Sequence, residues 1–393
     1  DYMDGQVNIY RLDLQPGTGS TGTQVYSSAD VGGVAAAEGM AFGPDGTIYV
    51  VENNIRAHTT QAIIRKGVPD ASGKRTWSTL ATTEAYPKSN TYFDHLFNGI
   101  VVSPDGKYVY VNSGSRTDHG EIESDGKTYP DLREVPLTSA IFRLPANGQD
   151  LMLPNDEAQL KANGYLFADG TRNSFDLAFA PNGDLFAGDN GPDADYPDEL
   201  NWLREGLHYG FPWRFGNYNN PQQFPDYNRA KDNRLSLDFS AVKNGTYKND
   251  PTFPPPPMAF TDPVKSFGPD ADEYRDDAGN QKDASDAGQP IYTFTPHRSP
   301  LGLVFDTAGA LSAEFKGDAF ILSYGAAGGT LTDQGQDLLD LKLTKTGDNY
   351  QAKVTQLVRG FDHPVDSVLI KNELYVLDYG SNGAGSIWEV TLP

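Results

Sequence analysis

The chain of 393 residues contains no cysteine, which excludes disulfides, thiolate metal sites and cysteine nucleophiles. No apolar run approaches the roughly eighteen residues that a membrane-crossing helix requires, so insertion into a bilayer by a helix is not expected. Cations are scarce: 31 Lys and Arg face 53 Asp and Glu, for a formal charge of −22. A chain so acidic repels DNA, RNA and anionic membranes. It suits cations, or a neutral ligand such as a carbohydrate. No leader pattern opens the sequence, and it begins at Asp1 without a methionine. That start leads us to expect an exported, extracytoplasmic protein, periplasmic or secreted.

What is present is turn-forming residues and short alternating strands. With 41 Gly and 27 Pro, the composition predicts many tight turns and few long helices. GMAFGPDGTIYVVEN (39–53), GIVVSPDGKYVYVNSG (99–114) and DLAFAPNGDLFAGDNG (176–191) share one design. Each has an apolar strand, a Pro-Asp/Asn-Gly turn suited to positive φ, and a second alternating strand. Weaker copies begin at residues 302 and 366. The long gap between the third and fourth copies leaves room for a sixth, degenerate unit. Uneven spacing argues against a solenoid and for an all-β fold, a six-bladed β-propeller forming one domain over 1–393. GQVNIYRLDL (5–14) and GSIWEVTLP (385–393) read as strands that pair to close one blade. The polar stretch 214–290, with its TFPPPPMAF run, reads as a large surface excursion.

GDNGPDADYPDELN (188–201) crowds Asp189, Asp193, Asp195, Asp198 and Glu199 into one rigid turn. Hard cations such as Ca²⁺ take six to eight oxygens, from carboxylates and from backbone carbonyls. Asp193, Asp195 and Asp198 equally suit capping of their own turn amides. The following ELNWLREGLHYGFPW (199–213) spaces Leu200, Leu203 and Leu207 as one short helical turn. Its aromatic residues Trp202, Tyr209, Phe211 and Trp213 suit either blade packing or stacking on a ligand. Of the six histidines, His95, His297 and His363 precede inner-strand sequences. Together they raise a transition-metal site, and singly a polar lining. His58, His119 and His208 sit in turn-rich or surface-like contexts and receive no role.

TRNSFDLAFAPNGDLFAGDNGPDADYPDELNWLREGLHYGFPW (171–213) resembles the signature segment of the soluble glucose/sorbosone dehydrogenase family. The shared elements are Arg172-Asn173, Asn190-Gly191-Pro192, Asp198-Glu199-Leu200-Asn201 and Tyr209-Gly210-Phe211-Pro212. The resemblance implies a six-bladed propeller carrying pyrroloquinoline quinone (PQQ) with Ca²⁺. It implies oxidation of an aldose or related carbohydrate by hydride transfer to the quinone, and a soluble electron acceptor. By position, the carbonyls of Gly191 and Pro192 would meet the quinone's Ca²⁺. Glu199 and the Tyr209 carbonyl, with Asp198 beside them, would form a second Ca²⁺ site. Arg172, Asn173 and Asn190 would hold PQQ, with His297, Arg298 and His363 completing its pocket. The pair Asp94-His95 stands where the family keeps its Asp-His pair, so His95 would be the general base and Asp94 its orienter.

The chain departs from the better-studied glucose oxidisers at two places. Tyr324-Gly325 stands where they carry a lysine, and Asp362-His363-Pro364-Val365-Asp366 where they carry an arginine pair. A cation-bound propeller without quinone, acting as a metal-dependent hydrolase or lactonase or as a carbohydrate-binding module, therefore stands as the alternative.

Overall fold

Each of the repeats folds as the hairpin its sequence predicts. The computed structural model describes residues 8–13, 21–31, 36–125, 128–325, 329 and 331–393. Ala36–Phe42 pairs antiparallel with Ile48–Asn53, Phe97–Val102 with Tyr108–Ser113, and Asp176–Phe179 with Leu185–Asp189. The two weaker copies do the same: Pro300–Phe305 pairs with Ala319–Ser323, and Pro364–Ile370 with Glu373–Asp378. The turn chemistry repeats as well. Gly46, Gly106 and Gly183 all adopt positive φ. Asp45 and Asn182 each accept the amide two residues on, at 2.9 and 3.1 Å, a side-chain mimic of a backbone turn.

The chain divides into two compact units, residues 1–116 with 123–167, and residues 117–122 with 168–393. In the first, a five-stranded sheet runs Leu151–Leu153, Arg75–Thr83, Ala62–Pro69, Ile48–Asn53, Ala36–Phe42. A four-stranded sheet ends on Phe97–Val102. Tyr49, Val51, Ile64, Leu80, Phe97 and Phe142 fill its core, with the Phe97 and Phe142 rings stacked at 5.4 Å. In the second unit, Asp176–Phe179, Leu185–Asp189 and Glu199–Leu203 form a three-stranded sheet. Lys265–Pro269, Asn349–Arg359, Asp337–Thr346, Ala319–Ser323 and Pro300–Phe305 form a five-stranded one, and the last three strands another. One core gathers Phe186, Leu200, Phe294 and Ile321, and a second Phe320, Leu322, Leu374 and Val376.

Three details differ from the sequence reading. Among the described residues five sheets have three or more strands, and the gap between the third and fourth copies carries smaller elements. Residues 214–290 form two-stranded pairs, 3-10 turns, a one-turn helix Ser240–Asn244 and Lys265–Pro269, which joins the five-stranded sheet. Four consecutive prolines, 254–257, donate no ladder hydrogen bonds and cannot build a central strand. The second concerns the termini. Asn8–Asp13 pairs with Thr21–Ser27, and Ser386–Thr391 with Glu373–Asp378. The two terminal strands share no ladder among the described residues, because each satisfies its backbone on a sequence neighbour. Residues 5–7 and 14 of the expected first strand lie outside the described residues. Third, Glu199–Leu203 is a strand and not a helical turn. Its pairing with Leu185–Asp189 overrides the helical spacing of its leucines.

Glu52, on the wholly buried strand Ile48–Asn53, is 0% exposed with Arg65 Nε at 3.4 Å. Burial pushes its carboxyl up to about 7, the Arg65 charge pulling the other way. The folded state thus keeps a proton that the unfolded chain releases near the ordinary value, and stability falls as pH rises through about 7. Glu52→Gln is expected to raise the melting temperature at pH 8 by about 2 °C or more, and by less at pH 5. Equal shifts at both pH values, measured by calorimetry, would contradict this account.

Candidate functional site

In the first unit, the candidate base sits immediately before an inner strand. Leu96, at φ +59°, turns the chain between His95 and Phe97–Val102. The His95 amide donates to the Ser115 carbonyl at 3.0 Å. Its ring Nδ1 lies 3.0 Å from the same oxygen and 3.2 Å from Ser115 Oγ. A carbonyl oxygen only accepts, so the ring hydrogen resides on Nδ1 and Nε2 is the basic nitrogen. Asp94 is placed differently from the expected ring orienter: its Oδ2 accepts the Ser89 amide at 3.0 Å. Burial pushes the Asp94 carboxyl up to about 7, against the Ser89 hydrogen bond and the Arg116 charge.

Glu38, which the sequence did not single out, belongs to the same region. The strand Ala36–Phe42 bulges between Ala37 and Gly39, and bulges re-aim side chains. A Cβ at Gly39 would stand 2.1 Å from the Asn98 carbonyl, so only glycine permits this approach. Asn53 Nδ2 bonds the Phe97 carbonyl at 2.7 Å and reaches Glu38 Oε1 at 3.4 Å. Burial, and then the Asp94 charge, push Glu38 up to about 8. A carboxylate in a strand that otherwise reads as apolar was the only available signal.

In the second unit, Asp189 organises the acidic turn. Its two oxygens accept the amides of Arg172 at 3.0 Å and Asn173 at 2.5 Å. The Arg172 guanidinium reaches the Asn190 carbonyl at 3.2 Å, the Asp118 carbonyl at 2.7 Å and Asp118 Oδ1 at 2.9 Å. Asn190 donates its amide to the Asn173 carbonyl, while its own Oδ1 is buried without a partner. Glu199 accepts the Gly216 amide at 2.6 Å and Asn201 Nδ2 at 2.9 Å. Burial and then the Asp189 charge push Glu199 up to about 8, and burial pushes Asp189 to about 6. A cavity of about 10 Å³ lies among Arg172, Asp189, Asn190, Gly191 and Glu199, near the size of one small probe.

The other expected ligands are more committed. Asp198 accepts the amides of Gly191 at 2.6 Å and Ser299 at 2.7 Å, as a turn former does. The Pro192 carbonyl accepts the Ala194 amide at 2.7 Å. Tyr209 is held through its hydroxyl, donated to the Trp202 carbonyl at 2.6 Å, and its amide, donated to the Asp169 carbonyl at 2.9 Å, and neither bond engages the carbonyl expected as a ligand. Trp202 packs edge-on against Tyr350 at 5.1 Å, a structural role. Arg298, 1% exposed, is closed by Asp333 and by both oxygens of Asp337, at 2.5 and 2.6 Å.

The three histidines that the sequence placed near one channel go to different partners. His297 Nε2 meets Asp195 at 3.0 Å, His363 Nδ1 meets Asp362 at 2.9 Å, and His95 meets Ser115. Among the described residues, no three His, Asp or Glu side chains are arranged to hold a metal ion, which leaves no transition-metal site of that kind. Any cation at the acidic turn would therefore draw on carbonyls and amide oxygens as well as carboxylates. His119, expected near the surface, is fully buried: its Nδ1 pairs with Asp118 at 2.7 Å and its ring stacks on Tyr247 at 3.8 Å. His208 is buried too. Only folding of 117–122 into the second unit could reveal this.

Quinoprotein glucose dehydrogenase B of Acinetobacter calcoaceticus is 26% identical over 232 residues, which is 52% of this chain and 45% of that protein. The match thus spans less than half the length of that relative. Two solved structures share the fold. The PQQ-bound aldose sugar dehydrogenase of Streptomyces coelicolor matches with a TM-score of 0.52 at 17% identity, over 98% of this chain and 87% of that one. The apo soluble aldose sugar dehydrogenase of Escherichia coli matches with a TM-score of 0.53 at 17% identity, over 97% and 90%. These likenesses place the all-β sheets described above in the propeller class. The model of the glucose/sorbosone dehydrogenase family matches residues 3–239, more than half of the sequence, and the chain belongs to that family.

Proposed function

We propose that this protein is a dehydrogenase that oxidises a hydroxyl of an aldose or related carbohydrate, with His95 as the general base. Family membership supports the reaction class, and the anchoring of His95 Nδ1 on Ser115 carries the assignment of the base. Oxidising a sugar hydroxyl requires a proton acceptor while hydride leaves the same carbon. Nε2 of a neutral imidazole takes that proton, and the Nδ1–H bond to the Ser115 carbonyl strengthens as the ring becomes cationic. The buried acids Asp94 and Glu38 favour the imidazolium whenever they are ionised.

Ca²⁺ suits the second-unit turn. Asp189 and Glu199 are buried carboxylates, the Asp189 charge adding to burial in raising the proton affinity of Glu199, and Asn190 Oδ1 is a buried acceptor with nothing to accept. That donor set asks for a hard cation. Asp189, Glu199, Asn190 Oδ1 and the Gly191 carbonyl would hold it, and its charge would remove their mutual repulsion.

The hydride acceptor that the relatives suggest is PQQ, which would supply a two-electron quinone. The residues assigned to its three carboxylates do not fit that task as they stand. Arg172 is closed by Asp118, and Arg298 by Asp333 and Asp337. Those internal pairs favour, as a second reading, a cation-binding scaffold without quinone that acts as a hydrolase or lactonase or binds carbohydrate.

Titration of the protein with PQQ in excess Ca²⁺ separates the two. We expect quinone absorbance changes and sugar-dependent dye reduction, with PQQ binding tightened in the double variant Asp333→Asn/Asp337→Asn, which removes both charges that hold Arg298. No binding at about 100 μM PQQ, an affinity weaker than about −5.5 kcal/mol, would move the assignment to the second reading. His95→Ala should lower kcat about 10²- to 10⁴-fold with the melting temperature unchanged; an unchanged kcat would remove His95 from the base role. Finally, Ca²⁺ should raise the melting temperature of the wild type by mass action and not that of Glu199→Gln. A wild-type melting temperature indifferent to both Ca²⁺ and chelator would argue that no cation binds the turn.

A further inference from the structure

The excursion between Arg214 and Arg234, with Tyr196 and Asp277, lines an open cavity of about 580 Å³ in the second unit, within the range of small-ligand sites. Its walls are short and pinned. Arg214–Phe215 pairs with Tyr218–Asn219. Asn220 caps the 3-10 turn Pro221–Gln223, and Asn228 caps Arg229–Lys231. Asn220 Nδ2 also holds the carbonyls of His119 at 2.6 Å and Pro212 at 2.8 Å. The cavity is therefore preformed.

Its chemistry is that of a surface for sugar rings. Phe224 lines it and is 42% exposed, an aromatic face offered to solvent where core packing does not require one. Tyr227 and Tyr218 stand beside it. Tyr227 donates its hydroxyl to Asp232 at 2.8 Å, and the Arg234 guanidinium covers Tyr218 at 4.5 Å. Carboxylates and amides complete the lining, among them Asp226, Asn228 and Asn233. Arg234 is matched to Asp277 at 3.0 Å, and the one other cation of the lining, Lys231, shares it with Asp226 and Asp232, so no net positive charge invites an anion. Aromatic faces with carboxylate and amide acceptors suit the apolar faces and hydroxyl rims of pyranose rings.

The cavity also touches the acidic turn. The Asp195 amide donates to the Arg234 carbonyl at 2.8 Å, and Asp195 in turn pairs with Arg275 and His297. We infer that the Phe224–Tyr227–Asp232 cavity is a binding site for a neutral oligosaccharide, one that prefers several linked sugar rings to a single monosaccharide. This extends the carbohydrate reading above, and binding can be measured without any cofactor.

Calorimetric titration of the cofactor-free protein with neutral tetrasaccharides (cello-, malto-, manno-, xylo- and chitotetraose), with glucose as the single-ring control, tests it. At least one tetrasaccharide is expected to bind at a Kd of about 1 mM or below, at least tenfold tighter than glucose. Phe224→Ala and Asp232→Ala should each weaken that binding about tenfold with their melting temperatures retained. No tetrasaccharide binding at about 10 mM, glucose binding equally well, or wild-type affinity in a folded Phe224→Ala would each overturn the inference. Absence of sugar-dependent dye reduction with PQQ, alongside oligosaccharide binding, would instead overturn the dehydrogenase assignment and leave this one standing.

Discussion

A single buried carboxylate, Asp189, ties together the segments from which the second unit's site is built. It is 4% exposed, and both oxygens receive main-chain amides, from Arg172 and Asn173. Those hydrogen bonds fix residues 172–173 against the end of the strand Leu185–Asp189. Arg172 then reaches Asp118, and Asp118 accepts the Asp193 amide and pairs with His119. A buried network of this kind is costly when any member is left unpaired. Its geometry is accordingly set as a whole, and the acidic turn inherits its shape from residues as far off in sequence as Asp118 and His297.

The shortage of cations explains much of the site's chemistry. Arg172, Arg275 and Arg298 are each matched to aspartates, and acids outnumber bases throughout the sequence. Carboxylates left over, such as the half-buried Glu38 and the buried Asp189 and Glu199, sit where desolvation outweighs their hydrogen bonds and raises their proton affinity. A chain so acidic repels anions, and the proposed hard cation and uncharged carbohydrate are both compatible with that balance. A tri-anionic cofactor sits uneasily with that balance, whereas a carbohydrate does not.

Misreadings of the sequence have a common origin. Leu200, Leu203 and Leu207 have helical spacing, yet the strand at Leu185–Asp189 offers Glu199–Leu203 a ladder, and the ladder wins. His119 stands among Thr, Asp and Gly residues that look like surface, yet 117–122 is claimed by the second unit and the imidazole is buried on Tyr247. The prolines and polarity of 214–290 suit a surface excursion, yet Lys265–Pro269 within it pairs with Asn349–Arg359 and joins the five-stranded sheet. In each case a partner distant in sequence decided the outcome.

By itself the sequence determined the hairpins, because period-two alternation and Asp/Asn-Gly turns are local physics acting over fewer than twenty residues. It determined the acidity, the exclusion of thiol chemistry and, through the segment 171–213, the family. Only the tertiary structure decided which oxygen holds the His95 ring, that Arg172 and Arg298 are spent on aspartates, and that Glu38 faces the Asp94 segment across a bulge. Those are outcomes of burial and pairing between residues far apart in the chain, and such pairings leave no periodic trace in the sequence.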